Sequence, residues 1–178
     1  MSTDSMTLNK LLILYMLDKV DFPLTNSQIS EFILGKGYAS YFTLQEAFND
    51  LADTELIQTE TQYSSSFYTL TKSGEETLSD FIGRIPDTIR EEIDRFLSEH
   101  SYHMRNENEY TADYFRDGTN RYIVTCSVRS RRDMLSKIVM NVPDEETAQT
   151  VCDNWKKNYE DIYVYLAQKL LNRVGGGD

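Results

Sequence analysis

Gln45 and Asn49 stand one helical turn apart, and each carries an amide that can pair with an adenine edge in the major groove of a duplex. Thr43, just ahead of them, and the hydroxyl-rich run Tyr63-Ser64-Ser65 could add bonds to phosphate oxygens. The same helical face also presents Glu46, Asp50 and Asp53, which repel phosphates. A solvated polar face, kept only for the core on its other side, is the competing reading. Arg129, Arg131 and Arg132 form the densest positive patch, which Arg116 and Arg121 could join. A basic turn of this kind suits a phosphate, an anionic effector or the acidic face of another subunit. The more ordinary reading is a solvated turn kept polar to protect a sheet.

Other chemistry finds little support. His100 and His103 are three apart on a helical segment near Glu99 and Glu107, but a structural metal site needs about four ligands, and no second ligand pair follows. Cys126 and Cys152 fall on core stripes and read as buried thiols; neither has a histidine at a nucleophile's spacing. There is no glycine-rich phosphate loop, nucleophile elbow or triad spacing, so the sequence gives no reason to expect an enzyme, a metal or a cofactor.

The elements that must position these groups are marked by caps and periodicity. Thr7 to Lys19 is apolar almost all round, as a helix buried at the centre of a small domain should be. Thr25 with Gln28 forms a capping box for a second helix, with Ile29, Phe32 and Ile33 turned inward. Thr43 with Glu46 forms another, opening a third helix whose inward face is Leu44, Ala47, Phe48 and Leu51. Leu56 to Glu60 and Phe67 to Thr71 are strand-prone runs around a polar loop, and Thr71 can cap a fourth helix. Three helices, a β-ribbon and a further helix are the plan of a winged helix-turn-helix, a fold used mostly to grip duplex DNA.

Arg84-Ile85-Pro86 reads as a seam, with Pro86 suited to the first turn of a new helix that runs to about Met104. A meander follows. Tyr110 to Phe115 alternates, Asp117-Gly118 turns, Tyr122, Val124, Cys126 and Val128 share one face of the next strand, and Ile138, Met140 and Val142 fall together on a third. Asp144 caps a last helical region whose stripe continues to Asn172, with Asn158 as the place where it could break. That helix is the available cover for the sheet. Exposed tyrosines around Tyr159, Tyr163 and Tyr165 suggest an interface with a symmetry mate, although core packing explains about half of the twelve.

Charge argues against the plan just drawn. The 178 residues carry a formal net charge of −11, and residues 1–83 hold only Lys10, Lys19, Lys36 and Lys72 against twelve Asp/Glu. DNA affinity rests largely on cations that displace counterions at phosphates, so the N-terminal half is a poor duplex binder unless a partner supplies them. No apolar run reaches transmembrane length, and no signal-peptide pattern opens the chain. With two cysteines this suggests a cytoplasmic protein with reduced thiols.

Several stretches then carry a resemblance: Asn9-Lys10-Leu11-Leu12, Pro23-Leu24-Thr25-Asn26-Ser27-Gln28-Ile29, Tyr41-Phe42, Arg84-Ile85-Pro86 and Cys152-Asp153-Asn154-Trp155-Lys156-Lys157. Through them Met1 to about Leu171 resembles an uncharacterised group of bacterial winged-helix proteins filed as a domain of unknown function. The resemblance implies a winged helix followed by a small α/β half and a loose kinship with transcriptional regulators. It implies no ligand, operator or reaction.

The expectation is therefore an α+β protein: a winged helix-turn-helix over residues 1–84, a helix–βββ–helix domain over 85–174, and a disordered tail over 175–178. DNA-contacting residues would be Gln45, Asn49, Thr43, Tyr63, Ser64 and Ser65, with Arg129, Arg131 and Arg132 as a secondary anion site. The partners would be duplex DNA and a second copy, with dimerisation through the Pro86 helix, the C-terminal helix or both, and no membrane. The alternative is a protein–protein interaction module on the same scaffold, whose acidic helix binds a basic partner.

Overall fold

The computed structural model describes residues 2–62, 65–130 and 133–172. Tyr63, Ser64, Arg131, Arg132 and the 175–178 tail lie outside the described residues. The chain is α+β, with six α-helices and two three-stranded antiparallel sheets among the described residues. It divides into two compact units, Met1–Asn108 and Glu109–Asp178.

In the first unit, helix α1 (Ser2–Asp18) carries the apolar run Leu11 to Leu17, every residue of which is buried. Strand β1 (Leu24–Thr25) leads into α2 (Asn26–Gly35), closed at its start by the capping box between Thr25 and Gln28 that the sequence announced. Gly37, with φ +73°, ends that helix in the left-handed region, and the Tyr38 N–H donates back to Ile33 O at 3.0 Å. Helix α3 (Tyr41–Asp53) buries Leu44, Ala47, Phe48 and Leu51 as expected. Strands β2 (Ile57–Gln62) and β3 (Ser65–Leu70) pair from Ile57↔Leu70 to Gln62↔Ser65, so the ribbon is longer than its β-prone runs indicated. β1 adds to the other side of β3, giving the order β1-β3-β2. A two-residue strand has no periodicity to betray it in sequence.

Thr71 caps α4 (Lys72–Phe81), and a 3-10 turn over Ile82–Arg84 follows. Helix α5 (Asp87–Glu109) then corrects the expected seam. Its stripe of Ile89, Ile93, Leu97 and Met104 joins the same core as α1, α2 and α3, so the division falls after Asn108 and not at residue 84. Polar bonds reinforce this packing. Tyr15 donates to Asp94 at 2.9 Å, Tyr38 donates to Glu92 at 2.6 Å, and the buried amides of Gln28 and Asn108 bond reciprocally at 2.9 and 3.2 Å. A 23-residue amphipathic helix must bury its stripe somewhere. Here the nearest apolar surface is its own N-terminal neighbour.

In the second unit, β4 (Tyr110–Arg116), β5 (Tyr122–Ser130) and β6 (Asp133–Val142) form an antiparallel sheet in that order. Asp117 makes the first hairpin by accepting from the N–H groups of Thr119 and Arg121, while Asn120 takes a left-handed φ of 67°. Asp144 caps α6 (Glu145–Leu171) by accepting from the Thr147 N–H at 2.7 Å, and the helix is continuous through Asn158. Ala148, Cys152 and Trp155 pack onto Val124, Cys126, Val128 and Val142, so the helix covers one sheet face as expected.

Candidate nucleic-acid interface

Helix α3 begins earlier than its sequence suggested. Ser40, not Thr43, is the cap: its backbone is extended (φ −80°, ψ 162°) and its hydroxyl accepts from the Thr43 N–H at 3.2 Å. Thr43 becomes the third helical residue, with its hydroxyl 2.9 Å from that of Ser40. Both residues fit a capping hydroxyl, and the Thr43–Glu46 pairing favoured the wrong one. The shift places Tyr41 and Phe42 in the first turn, 59% and 84% exposed, their rings edge-to-face with centroids 6.1 Å apart. A helix opening at Thr43 leaves both outside it, so the capping pattern does not reveal this aromatic pair.

Gln45 is half-buried and engaged. It exchanges amide bonds with Asn26 of α2 at 3.0 and 3.2 Å, and Asn26 also bonds Tyr68 at 3.3 Å and Ser30 at 3.0 Å. Tyr68 in turn stacks on Phe48 at 4.5 Å. This network fixes the angle between α2 and α3 and ties both to β3. For Gln45 to read a base it would have to break two bonds worth about 1 kcal/mol each. Gln45 thus holds α3 in place, whereas Asn49, one turn on, is exposed.

The electrostatics remain adverse. Residues 1–108 hold eight Lys/Arg against eighteen Asp/Glu, a net of −10. Four of those cations sit in ion pairs: Lys10 with Asp50 at 2.8 Å, Lys36 with Glu92 at 3.7 Å, Arg90 with Asp87, and Arg105 with Asp21. Lys19 lies over Tyr15 and Arg84 over Phe81. The Lys10 pair does neutralise one carboxylate of α3, leaving Glu46 and Asp53 exposed on it. Ser65 is half-buried at the last pair of the β2–β3 ribbon, and the sequence from Ile57 to Leu70 contains no Lys or Arg.

Of the basic cluster expected in the second unit, Arg131 and Arg132 lie outside the described residues. Arg129 is only 7% exposed in β5, beside a register shift between Val128 and Arg129. Arg116 and Arg121 flank the opposite end of β5; at roughly 3.4 Å per residue they stand about 24 and 27 Å along the strand from Arg129. Strand order, not nearness in sequence, decides which arginines meet.

His100 lies with Nδ1 2.8 Å from Phe96 O and its ring stacked on Phe96, while His103 faces Glu107 at 3.1 Å. The two imidazoles are engaged separately, and no metal-binding group of three appears among the described residues. Cys126 and Cys152 are unbonded, buried thiols. Burial, then the nearby Cys152 sulfur, pushes the Cys126 thiol up to about 11, and burial likewise raises Cys152. Both are poor nucleophiles near neutral pH. Tyr159 stacks on Tyr110 at 3.8 Å and Tyr163 packs against the core, so only Tyr165 of that trio is exposed. No helix among the described residues is long and apolar enough to cross a membrane.

Residues 9–170 match the family described as Domain of unknown function (DUF4364), and the chain belongs to that family. Comparison with curated proteins finds no match, and comparison with solved structures finds none either.

Proposed function

We propose that residues 2–84 form a winged helix-turn-helix and that the chain is a DNA-binding protein of the transcriptional-regulator type. The observation that carries the reading is the clamped pair α2–α3 followed by the β2–β3 ribbon, with the first turn of α3 exposed. In this reading α3 enters the major groove by its N-terminal turn. Asn49 pairs with an adenine, and Tyr41 and Phe42 pack on thymine methyl groups. Gln45 acts through Asn26, by holding the angle of α3.

Two observations favour a second reading, a protein-interaction module. The net of −10 over residues 1–108 and the exposed Tyr41–Phe42 pair suit a partner with basic and apolar side chains. Random-sequence duplex DNA at about 50 mM and 200 mM salt separates the two. A DNA binder with few phosphate contacts binds at low salt and weakens on a shallow slope. Asn49→Ala then costs about 1–3 kcal/mol of preference at one base pair. No binding at either salt removes the DNA reading and leaves the interaction module.

A further inference from the structure

The two edges of the second unit's sheet are treated differently. β4 exposes only Arg116, whereas seven of the ten residues of β6 are exposed. Such an edge presents a row of unpaired backbone N–H and C=O groups, and proteins normally blunt it with charges, bulges or a covering element. Among the described residues β6 is blunted at one end only. The register shift opposite Val128/Arg129 leaves Leu135 without a Cα partner in β5, a bulge that interrupts the strand there. From Ser136 to Val142 the pairing with β5 is regular, and Lys137 is the sole charge.

The centre of that regular segment, Lys137-Ile138-Val139-Met140-Asn141, is self-complementary about Val139. In an antiparallel pair centred there, Val139 faces its own copy. Ile138 faces Met140, and Lys137 faces Asn141, a donor opposite an acceptor. Each matched pair also shares a face, as antiparallel geometry requires: Ile138 and Met140 lie with Cys126 and Val124 on the α6 side, and Lys137 and Asn141 on the other. Val139 is 57% exposed on one face and Met140 39% on the other. An added strand shields both at once; a helix laid on either face would cover one.

We infer that β6 is a self-association edge, and that its occupant is the β6 of a second copy, paired antiparallel with the twofold axis at Val139. Charge supports a copy over a basic or acidic partner. Residues 109–178 hold ten Lys/Arg against eleven Asp/Glu, a net of −1, while residues 1–108 carry −10. Two acidic chains can meet at this neutral strand without strong repulsion, and a basic protein finds no carboxylate between Ser136 and Val142. The twofold pairing joins two three-stranded sheets into one of six. It does not depend on DNA binding.

Register makes the inference testable in the full-length chain. Directly opposed residues in an antiparallel pair have α-carbons about 4.5–5.5 Å apart, within disulfide reach. Val139→Cys should therefore cross-link two copies under mild oxidation. Lys137→Cys should not, because each introduced sulfur lies about four residues, roughly 14 Å, from its symmetry mate. Cys126 and Cys152 are buried and do not compete. Sedimentation at tens of micromolar should show a dimer for the native chain and a monomer for Val139→Lys, with unchanged circular dichroism confirming that this exposed position tolerates the charge. A native monomer overturns the inference. So does a dimer that survives Val139→Lys, or one that cross-links through position 137 and not through 139.

Discussion

Gly74 is where the base of the β2–β3 ribbon meets α4, and replacing it tests the packing account of that junction. A Cβ built on Gly74 falls 2.1 Å from Leu56 O and 2.7 Å from Leu70 Cδ1. The first distance is roughly 1.2 Å short of a close carbon–oxygen contact, and the atom it meets is backbone. Leu56 O is also fixed from another side, since it accepts from the Thr71 N–H at 3.2 Å, while Thr71 Oγ1 accepts from the Gly74 N–H at 3.1 Å. Relief therefore has to move either the ribbon or the capped turn. Gly→Ala inside a helix ordinarily gains about 1 kcal/mol. Here an overpacking cost of about 3 kcal/mol and part of a cap worth about 1 kcal/mol oppose that gain, for a net loss of about 2–3 kcal/mol. With a urea dependence of about 2 kcal/mol per molar, the unfolding midpoint should fall by about 1–1.5 M. Gly35→Ala is the internal control. Gly35 ends α2, is exposed, and a Cβ there meets nothing within 4 Å, so the same change should be neutral or stabilise by up to about 1 kcal/mol. Equal midpoints for the two variants would refute the argument.

Alkaline pH should loosen the first unit. Burial, then the bond to Asp94, pushes Tyr15 up to about 12, and the bond to Glu92, then burial, does the same for Tyr38. Both folded values exceed the ordinary tyrosine value near 10, so their contribution is complete below about pH 10 and is lost as pH rises to about 12. A double Tyr15→Phe, Tyr38→Phe variant should flatten that fall in urea midpoints, and an unaltered slope would count against it. Truncation tests the unit boundary. A fragment ending at residue 84 loses Ile89, Ile93, Leu97 and Met104 from the core. At about 1.5–3 kcal/mol per buried side chain that is about 6–12 kcal/mol, as much as a domain's whole stability. Residues 1–108 should melt cooperatively and residues 1–84 should not; a cooperative melt of the shorter piece would restore the earlier seam.

Much of this molecule is written locally. The all-apolar run of α1, the Thr25–Gln28 box, the inward stripe of α3, the Thr71 and Asp144 caps and the alternation of β5 each depend on residues a few positions apart, where periodicity and side-chain-to-backbone bonds act. From these the sequence by itself determined the helices, most of the strands and the inward-facing residues. It showed that the helix after Pro86 has an apolar stripe, but not which surface receives it. It showed that Gln45 is polar and off the core stripe, but not that Asn26, nineteen residues earlier, holds it. It showed arginines close in sequence, while strand order buries Arg129 and sends Arg116 and Arg121 to the far end of β5. Only the tertiary structure decided those pairings, because a residue's own neighbours set which face it takes, whereas the group it meets there is supplied by chain brought in from far away.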